Sequence, residues 1–130
     1  MVGMMKTLTL DHIQLAMPPG GEDRARAFWG DLLGMTEDPK PEPLARRGGC
    51  WFRSGSVRLH VGVEQEFAPQ RKAHPAFTVE DLDEVAPVME AAGHPIKWDD
   101  ALPDRKRFYV ADPFGNRIEF MRDGDGFSQR

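Results

Sequence analysis

Three side chains of this 130-residue chain are suited to holding one divalent metal: His12, His74 and Glu119. Neutral imidazole nitrogen and carboxylate oxygen are good ligands for iron, manganese, nickel, cobalt or zinc. Two histidines and one carboxylate also leave positions open for a substrate or water. His12 falls in the alternating stretch LTLDHIQLA (8–16), on the face opposite Ile13 and Leu15. His74 falls in AHPAFTV (73–79), and Glu119 lies between Ile118 and Phe120. A carboxylate embedded in an apolar strand is costly unless it is paired, hydrogen-bonded or metal-bound. Each residue also has a plainer reading. A single strand histidine is commonly a satisfied polar group, and a glutamate in a terminal strand commonly faces solvent. Residue type and spacing leave both readings open.

The elements that would position these groups follow from periodicity. Residues 8–16 alternate well enough for a strand, ended by Pro18-Pro19-Gly20-Gly21. Ala25, Phe28, Trp29, Leu32 and Leu33 form one apolar stripe of a helix over 23–33, and Gly34 suits its C-terminal end. Residues 37–47, with three prolines, predict an irregular loop. Strands over 49–53 and 56–63 are joined by a turn at Ser54-Gly55. Pro69 to Lys72 is the linker candidate, after which the order repeats. A strand over 73–79 precedes a helix over 82–92, with Asp81 as N-cap and Pro87 expected to kink or interrupt it. Strands follow at 96–98, 105–111 and 117–122, the last two flanking the turn Asp112-Pro113-Phe114-Gly115-Asn116.

The two halves share element order and punctuation. His12 and His74 are 74 − 12 = 62 apart, Gly34 and Gly93 are 93 − 34 = 59 apart, and Gly55 and Gly115 are 115 − 55 = 60 apart. Equivalent placement in a duplicated unit strengthens the shared-metal reading of the two histidines.

Composition narrows the class. Hydrophobic residues make up 40% and charged residues 29%, which suits one soluble globular domain. A single cysteine, Cys50, excludes an intrachain disulfide and reads as a small buried hydrophobe. A formal net charge of −4 argues against nucleic acid as the main partner. Met1 to Leu10 lacks the apolar run of a signal peptide, and no run of 18 apolar residues is present to span a membrane. The expected location is the cytoplasm.

The stretches LDHIQLAM, ARAFWGDLLGM, GSVRLHVG, AHPAFTVEDLDE and FYVADPFGNRIEF, running from residue 9 to 121, resemble the vicinal oxygen chelate superfamily. That superfamily includes glyoxalase I, fosfomycin-resistance transferases, extradiol dioxygenases, methylmalonyl-CoA epimerase and bleomycin-resistance proteins. The resemblance implies an α+β fold in which two βαβββ modules, here 8–66 and 72–122 within a single 1–130 domain, form an open cupped mixed sheet with helices outside. It also implies that His12, His74 and Glu119 are metal ligands, with Glu119 as the catalytic group. Glyoxalase I has a further glutamate on the last strand of the first module. Matching Val57-Arg58-Leu59 with Ile118-Glu119-Phe120 puts Arg58 there, which stays protonated and cannot ligate. His60, two residues on, is a further candidate ligand or cavity residue. Glyoxalase I activity is therefore not expected. Arg58 suits an anionic substrate, and Trp51, Phe108 and Tyr109 are candidate substrate-binding residues. The expected activity is metal-dependent isomerisation or lyase chemistry, thiol transfer or dioxygen insertion on a small oxygen-rich molecule. The alternative is a metal-free, ligand-sequestering protein of the bleomycin-resistance type. A homodimer is expected, with modules paired either within a chain or across it.

Overall fold

The computed structural model describes residues 5–124, so the first residues of Met1 to Leu10 and the last six of the 1–130 unit lie outside the described residues. The order is β1 (Ile13–Met17), helix α1 (Glu22–Ala25) widening into a π-helical stretch (Arg26–Leu32), β2 (Thr36–Asp38), a short 3-10 turn (Leu44–Arg47), β3 (Cys50–Ser54) and β4 (Val57–Val63). The second half repeats it with β5 (Ala76–Val79), α2 (Leu82–Ala91), β6 (Ile96–Asp99), β7 (Arg107–Ala111) and β8 (Arg117–Arg122).

Each half makes one four-stranded open sheet, ordered β1-β4-β3-β2 and β5-β8-β7-β6. The outer pairs β1/β4 and β5/β8 are parallel and the rest antiparallel, so both sheets are mixed. A parallel pair needs a crossover connection, which the helix of each half supplies. This is the α+β arrangement of two βαβββ modules with open mixed sheets expected from the sequence.

One core joins the halves. Leu15, Met17, Phe52, Leu59 and Val61 from the first sheet cluster with Phe108, Val110, Ile118 and Phe120 from the second. Phe28 and Trp29, each 1% exposed, are adjacent yet both buried. The wider π-helical turn suits this: Leu33 N–H donates to Phe28 O at 3.1 Å, an i→i−5 bond. Trp29 reaches across to Phe77, with ring centroids 5.7 Å apart, and Phe28 packs on His94 at 4.8 Å. The turn after β7 fixes the same junction. Asn116 Nδ2 donates to Ala16 O at 2.8 Å, and Gln70 N–H donates to Asn116 Oδ1 at 3.0 Å.

Four expectations need correction. The region over 37–47 is not wholly irregular, because β2 pairs with β3 through Thr36–Asp38. Its polar sequence TED hides an edge strand that one neighbour is enough to hold. The strands expected over 8–16 and 73–79 begin later, at Ile13 and Ala76. Parallel partners run out there: Ile13 already lies opposite Leu59, and residues before Asp11 would overrun the hairpin turn between Ser54 and Val57. The first strand of the second hairpin, β7, begins at Arg107 rather than Arg105, where pairing with β8 begins. Pro87 does not interrupt α2, which runs unbroken over Leu82–Ala91. Its side chain is exposed, and the one i→i−4 bond it forgoes would have involved Asp83 on the same wet face. Asp81 does cap this helix, accepting from Glu84 N–H at 3.1 Å.

Candidate functional site

Side chains alternate across a strand, so the sheet faces turned away from the core are readable from register. On the first sheet one open-face row runs Gln14, His60, Trp51, Asp38. On the second the matching row runs Ala76, Glu119, Tyr109, Lys97. Ile13 lies opposite Leu59, which sets His12 beside Arg58; Ala76 lies opposite Glu119, which sets His74 beside Arg117. In both halves the residue two further along the strand is the next one on that face. The counterpart of Glu119 is therefore His60, and the counterpart of Arg58 is Arg117. The sequence match that placed Arg58 opposite Glu119 was two residues out of register. The hairpin turns also differ, Ser54 pairing with Val57 but Ala111 with Arg117.

In the second half, His74 and Glu119 are brought together. His74 stands two residues before β5, and Glu119 N–H donates to Pro75 O at 3.0 Å, tying that segment to β8. His74 Nε2 lies 3.0 Å from Glu119 Oε1, and its Nδ1 lies 2.8 Å from Lys72 O. One imidazole thus faces two acceptors. A ring that donates Nδ1–H to the carbonyl has a lone pair left at Nε2. That lone pair suits the carboxylate only if a proton or a cation stands between them. The Glu119 side chain is 5% exposed, and Arg107 Nη1 donates to its Oε2 at 3.2 Å. Arg107 Nη2 also donates to Asp99 Oδ2 at 3.3 Å. The guanidinium offsets the cost of burying Glu119, while its own Nε is buried without a partner. Tyr109 packs edge-on to His74 at 5.4 Å, under the Arg117 guanidinium at 4.0 Å.

In the first half, His12 stands just before β1, exposed, with Nδ1 2.9 Å from Asp11 Oδ2. The hydrogen bond from His12 holds the Asp11 carboxyl below the usual aspartate range. His12 stacks on His60 at 4.2 Å and 19°, and His60 stacks on Trp51 at 4.2 Å and 8°. Burial first, then the neighbouring His12, push His60 below the ordinary histidine value. This three-ring wall lines a cleft of about 930 Å³ made wholly from first-half residues. Second-half residues together with Arg71 of the linker line a smaller one of about 270 Å³ beside Tyr109 and Arg117.

His12 and His60 thus stand together, as do His74 and Glu119, but the two pairs are apart. Among the described residues no three metal-ligating side chains gather in one chain. Of the other candidates, Trp51, Arg58 and Tyr109 lie on open faces. Phe108 does not: it is fully buried, between Trp98 and Phe120, and belongs to the core. Register alternation turns it away from Tyr109. Sequence reasoning missed Arg107, Asp99 and Arg117, although the alternation of KRFYVA and NRIEF around Glu119 carried the signal. Cys50 is buried as expected, and burial pushes its thiol up to about 11.

The family model for the glyoxalase-like domain matches residues 17–121. The chain belongs to the glyoxalase-like family. With it comes membership of the vicinal oxygen chelate superfamily. The matched span of this glyoxalase-like chain includes His60, His74 and Glu119 and begins after His12. A glyoxalase family protein from Bacillus anthracis is 51% identical over 92% of this chain and 98% of its own, with a TM-score of 0.88. Two more distant structures share the fold. A lactoylglutathione lyase from Agrobacterium tumefaciens has 19% identity and a TM-score of 0.71, over 91% of this chain and 96% of its own. The fosfomycin resistance protein FosX from Listeria monocytogenes has 16% identity and a TM-score of 0.70, over 92% and 94%. No curated protein matches the chain. Among the described residues no helix is long and apolar enough to cross a membrane.

Proposed function

We propose that this glyoxalase-like protein is a metal-dependent enzyme acting on a small oxygen-rich substrate. In this reading His74 and Glu119 of one copy and His12 of a second copy hold the divalent ion, with His60 beside His12 as the fourth ligand. The observation that carries it is the His74–Glu119 pair at 3.0 Å, with the far ring nitrogen fixed by Lys72 O. A carbonyl on one imidazole nitrogen and a carboxylate at the other is the arrangement that presents a histidine to a metal. The opening of the His12–His60 pair onto the first-half cleft, with Glu119 in the second half, favours completion by a second copy. In a two-fold dimer each open face of one chain meets the other kind of face of its partner, giving two equivalent composite sites.

The bound ion would act as a Lewis acid on substrate oxygens. The chain's own residues divide the remaining work. Arg107 holds one Glu119 oxygen, so the other is presented in a single orientation. Arg58 and Arg117, at equivalent places beside the two histidines, suit negative charge on the substrate. Tyr109 can donate its hydroxyl proton to a substrate oxygen. A proton next to a carbonyl can be moved to Glu119 from one side. On the other side the group present is the His60 imidazole, so two-carboxylate isomerisation of the glyoxalase I kind is not the activity proposed. Thiol transfer and dioxygen insertion fit the same arrangement.

Mixing two inactive variants tests this. H12A and E119Q chains combined in one dimer rebuild one complete site only if ligands come from both copies. Recovery of about half a site's metal per dimer chain, or of one metal per mixed dimer, is expected. No recovery would place the ligands in one chain. A metal-free ligand-sequestering protein is the second reading, favoured by the stacked wall of the larger cleft and by the lack of a three-ligand group among the described residues of one chain. Metal absent from protein purified without chelator, and not taken up on addition, would select it.

A further inference from the structure

We propose that the first-half cleft carries a separate oxyanion subsite, built by Lys40 and Arg47, which holds an acidic group of the substrate away from the metal-ligating residues. The subsite rests on the reading of the open face as the substrate side, but not on any metal. The cleft is lined by three cations, Lys40, Arg47 and Arg58, of which Lys40 also acts on the Glu22 carboxylate and Arg58 on Asp11 without a direct ion pair. Among the described residues none of the three has a direct carboxylate partner. The two acids in the lining are already engaged, Asp11 with His12 at 2.9 Å and Asp38 with Arg53 at 2.7 Å. The protein has a net charge of −4, so this local excess of positive charge runs against its composition. Lys40 is half-buried, and its ammonium donates only to Gly48 O, at 2.5 Å. A carbonyl positions an ammonium without neutralising it, leaving two donors for an anion.

The loop that carries both residues is fixed in place rather than merely lying near. Gly49 N–H donates to Glu22 Oε2 at 2.9 Å, pinning the loop to α1. Gly48 and Gly49 have φ of +76° and +89°. A Cβ on Gly49 would stand 2.4 Å from Val61 O, and one on Gly48 would stand 2.8 Å from Glu22 Oε2. Only glycines let the loop seat so closely on β4 and α1. On the cleft floor a Cβ on Gly62 would stand 2.4 Å from Gln14 Nε2, so the missing side chain leaves room for the Gln14 amide. The seating holds Lys40 and Arg47 in the lining of the cleft that Trp51 and His60 also line, which is the basis for assigning them a shared carboxylate or phosphoryl group.

The test follows the indole N–H signal of Trp51, assigned with W51F, during titration of the full-length protein with inorganic phosphate or acetate at constant ionic strength. A saturable shift is expected, weakened about tenfold or more in K40M/R47M, as expected for loss of charge-assisted hydrogen bonds. K40R should retain binding, and the single variants K40M and R47M should each show part of the loss if the double variant folds poorly. H74A should bind phosphate like the wild type, so loss of metal binding and loss of the subsite are separable. Stronger binding of phosphate assigns a phosphoryl group, and stronger binding of acetate a carboxylate. No saturable shift with either anion, equal binding by wild type and K40M/R47M, or loss in H74A alone would overturn the proposal.

Discussion

The two halves present the same four open-face positions and fill them differently. Beside the first histidine stand Arg58, His60 and Trp51; beside the second stand Arg117, Glu119 and Tyr109. Backbone register, aromatic neighbour and flanking arginine repeat, and one position changes from imidazole to carboxylate. That one change alters the physics of each face. In the first half the two imidazoles and the indole stack on one another along a broad cleft. In the second half the buried carboxylate draws in His74 and Arg107, and Arg107 draws in Asp99. A duplicated scaffold thus yields an open aromatic half and a tight ionic half, which together supply what neither has alone.

The largest effect on this pairing comes from the shared core. Trp29→Ala, which removes the ring spanning both halves, is expected to cost about 3–5 kcal/mol. Both halves should unfold in one transition, read by circular dichroism and by tryptophan fluorescence together. Two separated transitions would mean the halves are energetically independent.

Next come the unequal ligand pairs. H74A or E119Q should weaken divalent-metal binding by more than about 100-fold, since outer partners alone are worth about 10–100-fold. R107M, which removes such an outer partner, should fall within that lower range in the same titration. H60A should have a smaller effect, and H60E, which makes the first half chemically like the second, should bind metal at least as well as the wild type. If H60A matched E119Q in severity, the two halves would contribute equally and the contrast drawn above would fail.

The smallest effect is pH-dependent and confined to the first half. The backbone N–H of Gly49 holds the Glu22 carboxyl below the ordinary glutamate value. A lowered acid contributes stability that is complete above its unfolded value and is lost as pH falls through the folded one. Wild type should therefore exceed E22Q by about 1 kcal/mol at neutral pH, and the two melting temperatures should converge in acid. A gap that persisted well below the carboxylate range would mean that Glu22 acts through packing.

Much of the fold could be read from the chain. Alternation around Ile118, the apolar stripe through Phe28 and Trp29, the Asp81 cap and the spacing of Gly55 and Gly115 announced two equivalent halves. The short edge strand Thr36–Asp38 was not legible, since three polar residues carry no period. The burial of Phe108 was not legible either, because aromatic type alone does not say which face of a strand a residue occupies. The offset between Arg58 and His60 was not legible, because the counterpart positions are set by the parallel register of β1 on β4 and β5 on β8 and not by local sequence.

What the sequence alone determined is the set of chemical groups and their repetition: two histidines ahead of two parallel strand pairs, and one glutamate among apolar neighbours. Local periodicity and turn chemistry suffice for that, because they depend only on nearby residues. Tertiary structure alone decided which groups meet. Parallel register set His60 against Glu119 as counterparts, and the packing of β7 on β8 brought Arg107 to the carboxylate. The seating of a glycine loop on β4 carried Lys40 and Arg47 to the cleft. Each of these contacts joins residues far apart in the chain, and only strand pairing and core packing fix such distances.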